Sequence, residues 1–320
     1  MTDYYSRSGF PRGWFVVSFS EELAPGEVKP LRYFAQDLVL FRTESGEPKV
    51  LDAWCPHMGM HLAHGGVVEG ETIECPFHLW RFDGDGKCVD IPYSKRIPSK
   101  GHTECWPVRE RNGMILVWHD RDKNPPQWEV PALSEWGDQA WTSWNHDVVE
   151  IKTHPHAIVE NVADTGHFIP VHQTHVDSFE AIFEDHTATQ INSGTAFPVG
   201  GGKDKYSIRA TYYGPAVQYS RMDGFLSSRL VNAHTPIEEN LLHLRFGVML
   251  ELGDDPRQTE EFSKQYVANL RDGFFQDIRI WEHKRFLERP ALCDGDGPVA
   301  RLRSWYDQFF QAQESAGSAS

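Results

Sequence analysis

Between residues 12 and 120 the apolar residues come in short runs, WFVVSF at 14–19, LVLFR at 38–42 and GMILVWH at 113–119, separated by Gly, Pro and Asp turns. Short β-branched and aromatic runs bounded by such breakers predict strands, so this stretch reads as a small all-β domain. The polar segment DRDKNPPQWEVP, 120–131, has the charges and prolines of a connection between domains. Three parts follow: a first domain over 1–120, a linker over 121–131 and a second domain over 132–320. In the second domain, strands such as KYSIRATYY (205–213) and LLHLRFGVMLEL (241–252) accompany one long helical pattern from about 259 to 288. That mixture predicts an α+β fold. The tail ESAGSAS reads as disordered, and no internal repeat is visible.

One polar residue breaks the helical pattern. Tyr266, Leu270, Phe274 and Trp281 recur every three or four residues and define a core-facing stripe, and Asp277 lies inside it. A carboxylate on a buried face is unfavourable unless a metal or a cation pairs with it, so a metal ligand and a salt bridge to Arg or Lys both stay open. Asp272 and Glu282 fall off the stripe and are expected in solvent.

Composition narrows the partners. The chain has 320 residues and a formal net charge of -15, which disfavours nucleic acid, because binding it requires Lys and Arg to neutralise phosphates. No apolar run is long enough to span a membrane, and MTDYYSRSGF lacks the basic end and apolar stretch of a secretory signal, so a cytoplasmic protein is expected. Five cysteines are an odd number, which disfavours a disulfide framework; Cys88, Cys105 and Cys293 are expected to be plain buried thiols.

The remaining two cysteines are paired with histidines. Cys55 and His57 form C-x-H, and seventeen residues later Cys75 and His78 form C-x-x-H, each pair on a Gly- or Pro-containing loop. Zinc motifs usually open with two cysteines. One Cys and one His from each loop suits a [2Fe-2S] cluster with two thiolates on one iron and two imidazoles on the other. Trp80 and the turn FDGDGKC after it resemble the Rieske pattern C-P-x-H-x-W-x-F, with Leu79 where many members carry Gly. His61 and His64 read as exposed or hydrogen-bonded loop residues.

Such a cluster moves one electron and would need only about a third of this chain, so the second domain should hold a site of its own. ENVADTGHFIPVH, 160–172, offers Glu160, Asp164 and His167 at helical spacing on one face, with Asn161 beside Asp164. Pro170 is expected to break that helix and let His172 turn back toward His167. Two imidazoles beside a carboxylate suggest iron(II) held by two histidines and one carboxylate, with open positions for dioxygen. Asp277 is the candidate third ligand. GGGK at 200–203 lacks the rest of a phosphate loop, and neither G-x-G-x-x-G nor G-x-S-x-G occurs, so electrons must come from outside the chain. His154, His156 and His175 crowd the motif and are expected mainly in solvent; Phe168, Phe179, Phe183 and Trp281 are candidate pocket walls or core residues.

With these motifs the chain resembles, nearly end to end, the terminal oxygenase (alpha) components of Rieske non-haem iron oxygenases. Within them it is similar to the oxygenase components of 3-ketosteroid 9α-hydroxylases, through FEDHTATQ (183–190), YYGP (212–215), QDIRIW (276–281) and LCDGDGPVARLRSWYDQFF (292–310). The resemblance implies an N-terminal Rieske domain followed by a helix-grip (START-like) catalytic domain. It implies a cluster on Cys55, His57, Cys75 and His78 with Trp80 in its shell, and mononuclear iron on His167, His172 and Asp277. It further implies Asn161 beside the iron ligands, and Asp164 as an electron bridge between subunits of a homotrimer. Dioxygen is then the co-substrate, NAD(P)H acts only through a ferredoxin or a flavin/iron-sulfur reductase, and the expected substrate is hydrophobic and polycyclic, steroid-like. Aromatic cis-dihydroxylation, O-demethylation and sterol desaturation use the same kind of iron site. From another class, a Rieske electron carrier would need the cluster alone.

Overall fold

The computed structural model describes residues 9–196, 204–223 and 227–310. The 200–203 loop and the ESAGSAS tail lie outside these residues.

The first domain is built of eleven strands. They are β1 (Gly13–Phe19), β2 (Val28–Tyr33), β3 (Gln36–Arg42), β4 (Pro48–Asp52), β5 (Val67–Glu69), β6 (Thr72–Glu74), β7 (Arg81–Phe82), β8 (Cys88–Asp90), β9 (Cys105–Trp106), β10 (Val108–Arg111) and β11 (Met114–His119). Three antiparallel sheets result, β1-β11-β10, β2-β3-β4-β9 and β5-β6-β7-β8, and the last carries the two Cys/His loops.

The apolar runs of β1 and β11 do not alternate with polar residues because both faces of this pair are buried. Phe15, Val17, Ile115 and Val117 pack into the first domain, while Trp14, Val16, Leu116 and Trp118 pack against the second. The segment 121–131 is held along this junction rather than swinging free. Its Trp128 carbonyl accepts from Trp14 Nε1 at 2.7 Å, its ring stacks on His186, and Val130 is buried.

The second domain is a seven-stranded antiparallel sheet of β12 (Asn145–Ile151), β13 (His175–Glu184), β14 (Thr187–Ala196), β15 (Asp204–Tyr213), β16 (Val217–Asp223), β17 (Ser228–Glu238) and β18 (Leu241–Leu250). Strands β13 to β18 form a meander, but β12 pairs with β18 at the far edge. The chain must therefore cross the whole sheet between β12 and β13. That crossover carries α1 (Pro155–Val159), a 3-10 turn over Glu160–Val162 and α2 (Phe168–His172).

After β18, helix α3 (Pro256–Trp281) crosses back, and α4 (Val299–Asp307) closes the chain against the crossover. Helix α3 starts where Asp255 caps the amides of Arg257 and Gln258 with Pro256 in the first turn. It ends at Trp281, seven residues earlier than the sequence pattern predicts. The Leu270, Phe274 and Trp281 stripe packs on Leu242, Leu244, Phe246 and Val248, alternate residues of β18. Between them, His243 and Arg245 face the first domain, where Tyr33 hydrogen-bonds both.

Two thiols depart from expectation. Cys88 is buried, but Cys105 and Cys293 are exposed, because the first sits in a two-residue strand at a sheet edge and the second in a loop.

Candidate metal centres

The two Cys/His loops are folded alike. Cys55 N–H donates to Met60 O (2.8 Å) and Gly59 N–H to Cys55 O (2.9 Å); Cys75 N–H donates to Trp80 O (2.8 Å) and Leu79 N–H to Cys75 O (3.0 Å). Each turn needs a left-handed residue four places after its cysteine. Gly59 supplies it at φ 73°, and Leu79 supplies it at φ 57°. The departure from the family pattern at Leu79 is thus a backbone matter, and both loops keep the same hydrogen bonds.

These turns aim the donors at one another. The rings of His57 and His78 lie 4.6 Å apart at 73°, and Trp80 stacks on His57 at 4.6 Å while its Nε1 donates to Tyr93 Oη at 2.8 Å. A hydrogen bond between the two thiols pulls Cys75 down to about 6 and drives Cys55 up. The Nδ1 of His78 is buried without a hydrogen-bond partner. An orphaned imidazole nitrogen beside a thiol that ionises near neutrality fits a cluster with mixed sulfur and nitrogen donors. His61 stays outside this group: its Nδ1 accepts from Ala63 N–H at 3.2 Å.

The second centre assembles from separate pieces. One ligand atom each from His167, His172 and Asp277 lies within 4.8 Å of the others. His167 is the N-cap of α2 and His172 its last residue, with ring centroids 5.2 Å apart. Pro170 does not break this helix; it lies in the first turn, where no amide proton is needed. The stop comes from Gln173 in the left-handed conformation, φ 51°.

Asp277 is 7% exposed, and His172 Nε2 lies 3.3 Å from its Oδ2. Among the described residues no Lys or Arg pairs with it, so of the two readings left by the sequence the salt bridge is not the arrangement found. Two imidazoles and a buried carboxylate are a donor set suited to a divalent metal. Burial opposes charging His172, but Asp277 and Gln276 outweigh it and raise its pKa above the ordinary histidine value.

The residues around the triad divide. Asp164 Oδ2 lies 3.6 Å from His167 Nδ1, and that imidazole holds the carboxyl below the ordinary range. Asn161 Oδ1 accepts from Trp281 Nε1 at 3.3 Å. Glu160 does not share a helical face with Asp164 and His167, because the crossover is broken into short turns. It is buried elsewhere, between Lys284 at 2.5 Å and Arg303 at 2.6 Å. Trp281 and Phe183 belong to the core, and Phe168 stacks on His167. His154 and His156 are fully buried rather than solvated, whereas His175 is exposed on the edge strand β13. A cavity of about 750 Å³ edged by Phe34, Trp106 and His119 takes in none of the triad.

Sequence reasoning missed two contacts. Gln276 Oε1 lies 3.2 Å from His172 Nδ1. An exposed Gln on a helix carries no signal of that. The Glu160 bracket likewise joins residues more than a hundred positions apart.

With this geometry in view, the likenesses fall into place. Residues 13–106 match the Rieske [2Fe-2S] domain family, and residues 117–310 match the 3-ketosteroid 9alpha-hydroxylase C-terminal domain family. A probable 3-ketosteroid-9-alpha-monooxygenase oxygenase component of Rhodococcus rhodochrous is 39% identical, over 94% of this chain and 80% of its own. A cholesterol 7-desaturase of Ciona intestinalis is 33% identical, over 94% and 69%. The crystal structure of dicamba monooxygenase bound to 3,6-dichlorosalicylic acid shares the fold, with a TM-score of 0.77 at 20% identity over 94% of this chain and 98% of that one.

Fold and donor sets together define a Rieske oxygenase, an iron-dependent monooxygenase component carrying a [2Fe-2S] domain. Within that class, the chain belongs to the family of 3-ketosteroid 9α-monooxygenase oxygenase components. As a component of a multicomponent system it draws its electrons from a reductase partner. No helix among the described residues is long and apolar enough to cross a membrane.

Proposed function

We propose that this chain hydroxylates a hydrophobic polycyclic, steroid-like substrate, using dioxygen and electrons passed from NAD(P)H through a ferredoxin or flavin/iron-sulfur reductase. The carrying observation is the convergence of His167, His172 and Asp277 behind a Rieske domain. When bound, the cluster supplies single electrons, and iron on two histidines and one carboxylate supplies open positions for dioxygen. The balance is one C–H bond, one dioxygen, two electrons and two protons giving one C–OH and one water.

The chain's own groups have separate tasks in this reading. Cys55, His57, Cys75 and His78 hold the cluster, and Trp80 packs on it. His167, His172 and Asp277 hold iron. Asp164, ionised at neutral pH and 41% exposed, can accept a hydrogen bond from His167 on one side and from a cluster histidine of a neighbouring copy on the other. The family resemblance implies a homotrimer, in which that role would pass electrons between subunits.

The Ciona desaturase supports a second reading, removal of two hydrogens from a sterol by the same site. Turnover of a steroid panel under ¹⁸O-labelled dioxygen with a surrogate reductase separates the two. Hydroxylation adds one labelled atom, and desaturation lowers the mass by two hydrogens. Absence of both across 3-ketosteroids and sterols would sink the substrate class. Asp164→Ala should keep both metals and lose turnover by about 100-fold; unchanged turnover would remove its bridging role.

A further inference from the structure

Helix α2 is only five residues long, yet it carries two of the three candidate ligands, His167 at its start and His172 at its end. A single-turn helix has little stability of its own, so the aim of those two rings must be set by what each ring's other nitrogen touches. The two rings are held differently. The Nδ1 of His167 faces a carboxylate, Asp164, at 3.6 Å. The Nδ1 of His172 faces a neutral amide oxygen, Gln276 Oε1, at 3.2 Å.

Gln276 and Asp277 are consecutive on α3, and both reach His172. Asp277 Oδ2 is 3.3 Å from Nε2, and Gln276 Oε1 is 3.2 Å from Nδ1. One helix thereby grips the imidazole by both nitrogens. Asp277 is buried on the core-facing stripe, and Gln276 is exposed beside it, so neighbouring positions of α3 serve the inner and outer edges of one ring.

We propose that Gln276 is the positioning residue of the mononuclear iron site, accepting the Nδ1–H of His172 so that Nε2 is the free lone pair presented to the metal. The inference rests on the reading of His167, His172 and Asp277 as iron ligands. With Nδ1–H donated to Gln276, Nε2 would be the nitrogen left to hold a metal beside Asp277 Oδ2, which lies 3.3 Å away. A ring donating from Nδ1 cannot flip without losing that bond, which fixes both tautomer and orientation.

The choice of an amide over a carboxylate has a chemical consequence. A carboxylate acceptor draws the N–H proton and makes the imidazole a more basic ligand, whereas an amide orients it without adding charge. The site therefore has one histidine beside a charge, at 3.6 Å without a hydrogen bond, and one hydrogen-bonded to a neutral dipole. Placing Glu at 276 should move the second histidine toward the first in donor strength.

The test uses the full chain with its cluster in place and the mononuclear iron removed by anaerobic dialysis against chelator. Fe(II) is then titrated back in competition with a chromophoric chelator, and the ferrous–nitrosyl EPR signal reports the ligand field. Gln276→Leu should weaken Fe(II) binding by about 10-fold or more and broaden the EPR signal into several orientations of the ring. Gln276→Glu should bind at least as tightly as the parent, with a shifted but sharp signal. Cluster absorbance and the melting temperature of each variant report whether the fold is retained.

Two results would overturn the role of Gln276. One is Gln276→Leu binding Fe(II) like the parent with the same EPR signal, while Asp277→Asn loses it. The other is Gln276→Glu weakening binding as much as Leu does, which would mark the position as sensitive to any change. A parent protein that takes up no Fe(II) beyond its cluster, with Asp277→Asn no different, would instead overturn the ligand assignment beneath it.

Discussion

The four candidate cluster donors all lie between residues 55 and 78, whereas the candidate iron triad takes two from a crossover and one from a helix about a hundred residues further on. The difference follows from what holds each donor. The cluster loops are self-contained turns whose hydrogen bonds run from each cysteine to its own loop, so a short sequence is enough to specify them. The triad exists only where the crossover between β12 and β13 meets α3. Local chemistry builds the first centre and tertiary topology builds the second.

The largest effect should come from separating the two. Asp277→Ala should lower the iron count from about three to about two per chain and cut turnover by more than about 100-fold, with the cluster's visible absorption unchanged. Cys75→Ser should do the reverse to the spectrum, removing the cluster absorption. If Asp277→Ala retained three irons and full turnover, the carboxylate would not belong to the iron.

Sequence legibility follows the same division. The grouping of the four candidate cluster donors could be read from spacing alone, and the burial of Asp277 from its place on an apolar stripe. The course of the crossover could not. The spacing of Glu160, Asp164 and His167 fits one helix, but the crossover must traverse seven strands and breaks into turns to do so, which sends Glu160 to Lys284 and Arg303. His154 and His156 read as polar neighbours of a metal motif, yet both are buried, His154 as the N-cap of the helix that opens the crossover and His156 within it. The two-sided burial of β1 and β11 was visible only as an absence of alternation, whose partner sheet no local pattern names.

The second domain should also be the more acid-sensitive of the two. His234 on β17 is fully buried, near His154 and with the Tyr212 ring 5.7 Å away, and burial pushes its pKa down to about 3. Unfolded, it would bind a proton near pH 6.5; folded, it stays neutral until about 3. The unfolded chain therefore holds more protons across that window. Stability from this residue is complete above about pH 6.5 and is lost as pH falls toward 3, with a slope of up to about 1.4 kcal/mol per pH unit. Urea melts between pH 7.5 and 5, followed by tryptophan fluorescence, should show that slope, and His234→Phe should reduce it, leaving the share of His243 and His119, whose pKa values burial also lowers. An equal slope in the variant would mean that other groups govern the acid limb.

The smallest effect tests the likeness between the two cluster loops. Gly59 and Leu79 hold the same left-handed place, and a Cβ built at Gly59 meets nothing within 4 Å, so any difference between residues there is conformational rather than steric crowding from neighbours. An L side chain in this region costs roughly 1–2 kcal/mol, and glycine returns roughly 0.5–1 kcal/mol of that through the freedom of the unfolded chain. Leu79→Gly should therefore stabilise by about 0.5–1 kcal/mol, and Gly59→Ala should destabilise by a similar amount. Melts of the cluster-loaded protein followed at the cluster absorption would read both. Should Leu79→Gly destabilise instead, the leucine, 47% exposed in the single chain, must be burying its side chain against something. A concentration-dependent loss would identify that surface as a neighbouring copy of the chain.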